Sequence, residues 1–314
     1  MRPIKIVFCT LFITSIVTTI STSYSKEEAL SHKAEQYYDL LQQVSQEEAK
    51  DKDRTVFSFL KRLFHHDQPS REDIEQHILQ QKAMGQSVDL NSVFGNYFAK
   101  LDLNGLYLSE ISFAKSDLSE SKIDLADLRY AYFPASNLER TSFRGSDLDH
   151  AYLQQSKGNK PNFSLAILRH ASLMEVSFQQ ANFRGANLAN ASLLRATLTH
   201  ADFSYSDLSN AQLQGADLRY ARFNGADLTG ANLYGANLEG ADFLGATLDQ
   251  ANLQEAILHK ATLDNASMRQ CDLRGAFLAG VNMKTAFLKR CRVDAVQGLT
   301  AEQLIQLKQL TKQD

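Results

Sequence analysis

The stretch Ala226–Ala246 reads "ADLTGANLYGANLEGADFLGA". Large apolar residues stand five apart at Leu228, Leu233, Leu238 and Phe243, and alanine precedes each by two places, at Ala226, Ala231, Ala236 and Ala241. An amphipathic helix repeats its apolar face about every 3.6 residues and a half-buried strand about every 2. A period of five fits neither, so it is treated first as an internal repeat.

Working outward, the large position, here called the centre, holds its phase from Val88 to Val293. Every centre in that run is Val, Leu, Ile, Phe or Met except Gly158. The small partner two residues earlier becomes regular at Ser116; before it stand Leu101, Leu106 and Ile111, which read as a wider, irregular first coil. Thirty-six pentapeptides run from centre Leu118 to centre Val293. A second period of twenty lies over the first. Phe143, Phe163, Phe183, Phe203, Phe223 and Phe243 form one column, and Leu128, Leu148, Leu168, Leu188, Leu208, Leu228 and Leu248 another. Four pentapeptides therefore make one twenty-residue coil, and like stacks on like at the ~4.8 Å spacing of paired strands. Nine such coils give a rod on the order of 40 Å long. The six phenylalanines are assigned to the core.

The triplets Ala186-Asn187-Leu188, Ala216-Asp217-Leu218, Ala226-Asp227-Leu228 and Ala241-Asp242-Phe243 resemble the pentapeptide repeat family. The resemblance implies an all-β solenoid: a right-handed quadrilateral parallel β-helix with four pentapeptides per coil. Each centre and its small partner point inward, and the other three residues face out. Such a coil buries its large residues only by stacking on neighbours, so its ends require caps.

Two departures interrupt the rule. At Ser156–Pro161, Gly158 replaces a centre and Pro161 a small partner, while the phase survives at Leu153 and Phe163. Gly, Asn and Pro are turn formers, so the segment reads as a bulged loop or a kink that projects Lys157 and Lys160. It is either a plain surface irregularity or a partner-binding loop, and Lys157, Gly158, Asn159 and Lys160 are the best local candidates for function on the rod. The second departure is Cys271 and Cys291, both at small-partner positions one coil apart. That places their Cα atoms ~5 Å apart, within disulfide reach, although parallel inward side chains are awkward for the bond. A disulfide and two inert small residues both remain open.

The ends follow other rules. Arg2 and Lys5, the apolar run 6–20 and the small residues Ser21, Ser23 and Ser25 describe a secretory signal peptide over 1–25, cut near Ser23 or Ser25. An uncleaved inner-membrane anchor is the alternative. Residues 26–87 read as a helical N-terminal region: an amphipathic helix over 27–50, a basic amphipathic cluster over 56–64 that could lie on a membrane surface, and a helix started by Ser70 and stopped by Gly85. The β-helix spans 88–298. Over 299–314, Thr300 with Gln303 fits a capping box, and Leu304, Ile305, Leu307 and Leu310 give a helix an apolar face. This helix plugs the last coil; the resemblance also admits a homodimer through it.

No nucleotide loop, zinc motif, nucleophile elbow or catalytic cysteine–histidine pattern is present. No catalytic residue, metal or cofactor is assigned. Asp207, Asp217, Asp227 and Asp242 recur before centres as part of the repeat rather than as paired acids. His150 and His170 share an outward column with Tyr130 below them, but supply only two ligands where structural zinc takes four. They and the exposed pair Tyr132 and Tyr152 join the candidate interaction surface. The chain carries 33 basic and 36 acidic residues, no Trp and three Cys. That balance excludes a nucleic-acid partner and a disulfide scaffold.

The sequence therefore points to a non-catalytic protein-interaction or scaffold protein of the bacterial envelope, periplasmic or secreted, with a protein partner it does not identify. Two alternatives belong to other classes. One is a DNA mimic like the gyrase-binding quinolone-resistance proteins that the block resembles; residues 116–298, however, hold nineteen acidic and eighteen basic residues, so the necessary negative field is missing. The other is an effector delivered to another cell.

Overall fold

The computed structural model describes residues 69–84, 88 and 90–312. The signal segment over 1–25, the 27–50 helix, the 56–64 cluster and Gly85 lie outside the described residues.

The coil is built on parallel pairing between each residue that precedes a centre and its counterpart twenty places on. One turn shows all four sides: Asp202 pairs with Arg222, Asp207 with Asp227, Gln212 with Asn232 and Asp217 with Asn237. The pattern begins at Tyr97–Asp117 and ends at Phe277–Gln297. Between sides the chain turns. The N–H after most corners donates back three residues to the centre carbonyl, as in Ala226 to Phe223 at 3.0 Å. The third residue of that turn has positive φ, which identifies type II geometry. Every fifth residue from Lys100 to Ala295 adopts it except Thr285. A β-branched side chain is the poorest fit to that conformation, and around Thr285 the coil loosens: Val281 and Met283 are only partly buried.

Centres and small partners fill the interior. The phenylalanine column stacks face to face, with Phe183–Phe203 at 4.8 Å and 1° and Phe203–Phe223 at 5.1 Å and 2°. Several small partners in the early coils are polar and satisfied. Ser121 donates to the Phe98 carbonyl at 2.6 Å, Ser136 to Phe113 at 2.7 Å and Thr141 to Leu118 at 2.8 Å. Buried hydroxyls are tolerated only with such partners.

Helix α1, Arg71–Ala83, starts at Ser70, whose hydroxyl accepts the Asp73 N–H while Asp73 accepts the Ser70 N–H. Its Ile74 and Ile78 are buried. A short helix α2, Leu90–Phe94, follows. This corrects the start of the β-helix. Val88 and Val93 share the five-residue phase, but the chain at 90–94 is helical and the first parallel pair forms at Tyr97. Helix α3, Ala301–Leu310, opens with the Thr300–Gln303 capping box. Leu307 is buried and Leu310 packs on the core, whereas Ile305 is 59% exposed and is no part of the inward face. The Arg290 N–H donates to the Thr311 carbonyl at 3.0 Å, tying the end of α3 to the last coil.

Candidate functional site

The acids before the centres have a structural duty. In each pentapeptide one N–H, that of the residue after the centre, has no partner in the ladder. Where Asp or Asn stands two residues earlier, its side chain accepts it, forming an Asx turn. Asp207 accepts from Ser209 at 2.9 Å, Asp217 from Arg219 at 3.3 Å, Asp227 from Thr229 at 2.9 Å and Asp242 from Leu244 at 3.2 Å. Asn182 and Asn187 serve Arg184 and Ala189 in the same way, both at 3.0 Å. Because amide and carboxylate do this equally, the turn needs an acceptor and no charge; the same position elsewhere takes side chains without that role, such as Tyr132, Tyr152, Ile167 and Phe277. Where Arg follows the centre it also forks onto the same acid: Arg129 reaches Asp127 at 2.9 and 2.8 Å, and Arg219 reaches Asp217 at 2.8 and 2.7 Å. Arg274 and Asp272 repeat the arrangement. These guanidinium hydrogen bonds hold the Asp127, Asp217 and Asp272 carboxyls below the usual carboxylate range.

The outward aromatic residues singled out in the sequence come together along one corner. Tyr130 stacks on His150 with centroids 4.9 Å apart, and His150 on His170 at 4.8 Å. On the adjoining side Tyr132 and Tyr152 lie 5.8 Å apart, tilted by 58°. All three tyrosines are between 42% and 49% exposed. Asp149 sits beside this corner, 3.3 Å from His150 Nδ1 and 3.2 Å from Arg169. Among the described residues no three or more His, Cys, Asp or Glu are grouped to hold a metal ion.

The irregularity at Ser156–Pro161 is a dent in the wall, and neither a bulged loop nor a kink. The ladder runs through it unbroken: Lys157 pairs with Asn137 below and Ser177 above, and the Gly158 and Lys160 N–H groups donate to Ser177 and Gln179 at 3.0 and 2.8 Å. Only the corner changes. Pro161 has no N–H, so the turn bond to the Gly158 carbonyl is missing. Gly158 also presses on the coil beneath. A Cβ there would lie 2.5 Å from the Leu138 carbonyl carbon and 2.7 Å from Glu139 N. The result is an open depression of about 400 Å³ lined by Asn137, Glu139, Lys157, Gly158, Asn159, Ser177 and Gln179. The Glu139 carboxylate accepts the Asn159 N–H, while Asn159 Oδ1 is buried with no partner among the described residues. Lys157 and Lys160 are exposed. The candidates thus fall on two neighbouring sides of the coil: the tyrosines on one, the lysines and the dent on the next.

Cys271 and Cys291 are both buried and free, so the bridge left open by their spacing is not formed. Cys291 points its sulfur at the Met268 carbonyl, the place where Ser and Thr hydroxyls donate in the early coils. A hydrogen bond with the neighbouring Cys291 sulfur, and burial after it, push the Cys271 thiol far above its ordinary range. One corner lies outside the sequence candidates: Leu125, Leu165 and Tyr205, alternating with Gly145, Gly185 and Gly225. A twenty-residue count of turn positions reveals it.

No curated protein matches the chain. Among solved structures it is similar to HetL, a pentapeptide repeat protein involved in heterocyst differentiation regulation from the cyanobacterium Nostoc sp. strain PCC 7120. The identity is 27%, over 70% of this chain and 92% of that one, with a TM-score of 0.40. It is also similar to QnrB1, a plasmid-mediated fluoroquinolone resistance protein, at 21% identity over 58% of this chain and 100% of that one, with a TM-score of 0.29. A pentapeptide repeat protein from the Arabidopsis thaliana thylakoid lumen matches at 27% identity over 40% of this chain and 77% of that one, with a TM-score of 0.19. The profile described as Pentapeptide repeats matches in eight copies across residues 121–174 and 177–290. With that match covering more than half its length, the chain belongs to the pentapeptide repeat family, whose members fold as right-handed quadrilateral β-helices.

Proposed function

We propose that the protein is a non-catalytic interaction or scaffold protein of the bacterial envelope, periplasmic or secreted, that binds a protein partner through the outer faces of its coil. The observation that carries the reading is the aromatic corner. Tyr130, His150 and His170 stack beside the pair Tyr132 and Tyr152, and all five are held on a rigid ladder. Tyrosine presents a large, stiff contact area with a polar tip, which is why it is enriched where proteins meet. The Asx-turn duty of the recurrent acids supports the absence of catalysis, because it explains them without any reaction. The near-equal count of nineteen acids and eighteen bases over 116–298 speaks against a DNA mimic. The burial of Leu307 supports reading α3 as the plug of the last coil.

The test is a pull-down from an envelope extract with the wild-type chain and with Tyr132→Ser/Tyr152→Ser. The reading expects at least one partner retained by the wild type and lost by the variant. If every captured protein is captured equally by both, the aromatic corner is not the binding surface. Fractionation tests the placement: an uncleaved chain found only in the cytosol removes the envelope from the proposal.

A further inference from the structure

One corner of the coil is apolar and exposed. Leu125, Leu165 and Tyr205 are 74%, 58% and 63% exposed, and Leu244, at 45%, stands one place before the same corner. They recur every second coil, about 10 Å apart at the strand spacing. Glycine occupies the coil between. Each large side chain leans along the rod into the room the next glycine leaves: Leu125 Cδ2 lies 2.9 Å from where a Cβ on Gly145 would stand, Leu165 Cδ2 2.9 Å from that of Gly185, and the Tyr205 ring 3.1 Å from that of Gly225. The glycines therefore let the knobs lie down into a continuous stripe. A row of apolar side chains this long on an exposed edge marks an interaction site.

The flanks of the stripe differ in sign. Over residues 122–249 the side before the corner holds four basic and three acidic residues, with Arg144 and Arg184 next to the stripe, whereas the side after it holds six acidic and two basic, Asp147, Asp207 and Asp227 among the acids. Asp124, Asp202 and Asp242 are the acids on the basic flank; Asp124 is already occupied, accepting the Ser142 hydroxyl and the Arg144 N–H, as Asp127 on the other flank is by Arg129. Arg184 lies over the Tyr205 ring at 4.6 Å, which brings its charge up to the stripe itself.

We infer that this corner is the contact for a second copy of the chain, with the two rods side by side and parallel. The charge asymmetry selects the arrangement. A two-fold axis parallel to the rods places the basic flank of each copy against the acidic flank of the other and sets equivalent coils at equal height. Leu125 then meets Leu125, Leu165 meets Leu165, and Arg144 meets Asp147, its neighbour in the same coil. An antiparallel pair sets Arg flank on Arg flank and Asp flank on Asp flank, which costs affinity. The parallel contact is isologous and closes as a dimer. It goes beyond the proposed function, because it uses a different corner from the aromatic one and holds whichever partner that corner binds.

The experiment uses the full chain. Analytical ultracentrifugation reads its mass, and single-cysteine variants Leu125→Cys and Tyr205→Cys, each in a Cys9→Ser background, report the geometry under mild oxidation. The native Cys271 and Cys291 are buried and stay silent. The expected result is a dimer mass, with each variant cross-linking to itself, and a dissociation constant raised roughly tenfold by Arg144→Glu. A monomer mass at all soluble concentrations overturns the proposal. So does a cross-link that appears only when the two variants are mixed, which is the antiparallel signature, and so does a dimer in which neither variant cross-links.

Discussion

Replacing Gly158 by alanine isolates what the dent costs and why glycine is there. The backbone at Gly158 is not left-handed, so an added methyl meets no torsional penalty of that kind. Its penalty is contact. The Cβ would stand 2.5 Å from the Leu138 carbonyl carbon, 2.7 Å from the Leu138 oxygen and 2.7 Å from Glu139 N. All three atoms are backbone, so no side chain can swing aside, and relief requires the two coils to part. Parting strains the bonds that join them, Leu138 N–H to the Lys157 carbonyl at 2.7 Å and Arg140 N–H to Asn159 at 3.0 Å. Overpacking of this sort costs about 1–3 kcal/mol, and the rigid surroundings put the expected loss near 3 kcal/mol. Gly235→Ala is the control. There φ is +61° and nothing lies within 4 Å of the new Cβ, while Ala135 already takes the same conformation at +56°. A left-handed alanine costs about 1 kcal/mol, partly offset by a stiffer unfolded chain. Urea unfolding followed by circular dichroism, with equal m-values, gives both losses. If Gly158→Ala is no less stable than Gly235→Ala, the close approach of the coils is not what glycine serves.

Three further outcomes are expected. Phe203→Ala removes a fully buried ring stacked on both sides, and should lower unfolding stability by about 4–5 kcal/mol in urea titration, with the coils on either side losing protection in hydrogen exchange before the rest. Asp207→Ala should cost about 1 kcal/mol by leaving the Ser209 N–H without its acceptor, whereas Asp207→Asn should be neutral by thermal melting; equal losses would mean the charge matters after all. The Asp127, Asp217 and Asp272 carboxyls are depressed in the folded state, so the unfolded chain binds protons first as pH falls. The stability they contribute is complete above the ordinary aspartate range, near pH 4, and is lost as pH drops through their lower folded values. Comparing melts at neutral and acid pH in wild type and in Arg129→Gln/Arg219→Gln/Arg274→Gln should show a shallower acid loss in the variant.

The repeat was legible because its two periods have separate physical causes. The five-residue period is the length of one side, and the twenty-residue period is the stacking of like on like, so Phe143 to Phe243 announced both the coil and its interior. The first coil misled for a related reason. Val88 and Val93 keep the spacing, yet spacing carries no backbone geometry, and the helix at 90–94 is compatible with the same residues. At Ser156–Pro161 the turn formers were visible, but their effect was not: Pro161 deletes one hydrogen bond from the corner and leaves every ladder bond in place. The Asp column was seen as a regular feature of the repeat, and its reason needed the Asx turn. The alternation of Leu125, Leu165 and Tyr205 with glycine was readable in principle. The inward columns carry no trace of it, because corner side chains do not enter the interior.

The uniform offset of the ladder has a kinetic meaning. Every bridge joins residues twenty apart, from Tyr97–Asp117 to Phe277–Gln297. For a chain of 314 residues that separation corresponds to a relative contact order of about 0.06, just below the range of helical bundles, although the coils pair through a parallel β ladder. Each loop to be closed is as short as the last, so the entropic toll does not grow as the rod lengthens. Assembly can start wherever two coils first meet and zip outward in both directions, and a rod shortened by whole twenty-residue units keeps its register.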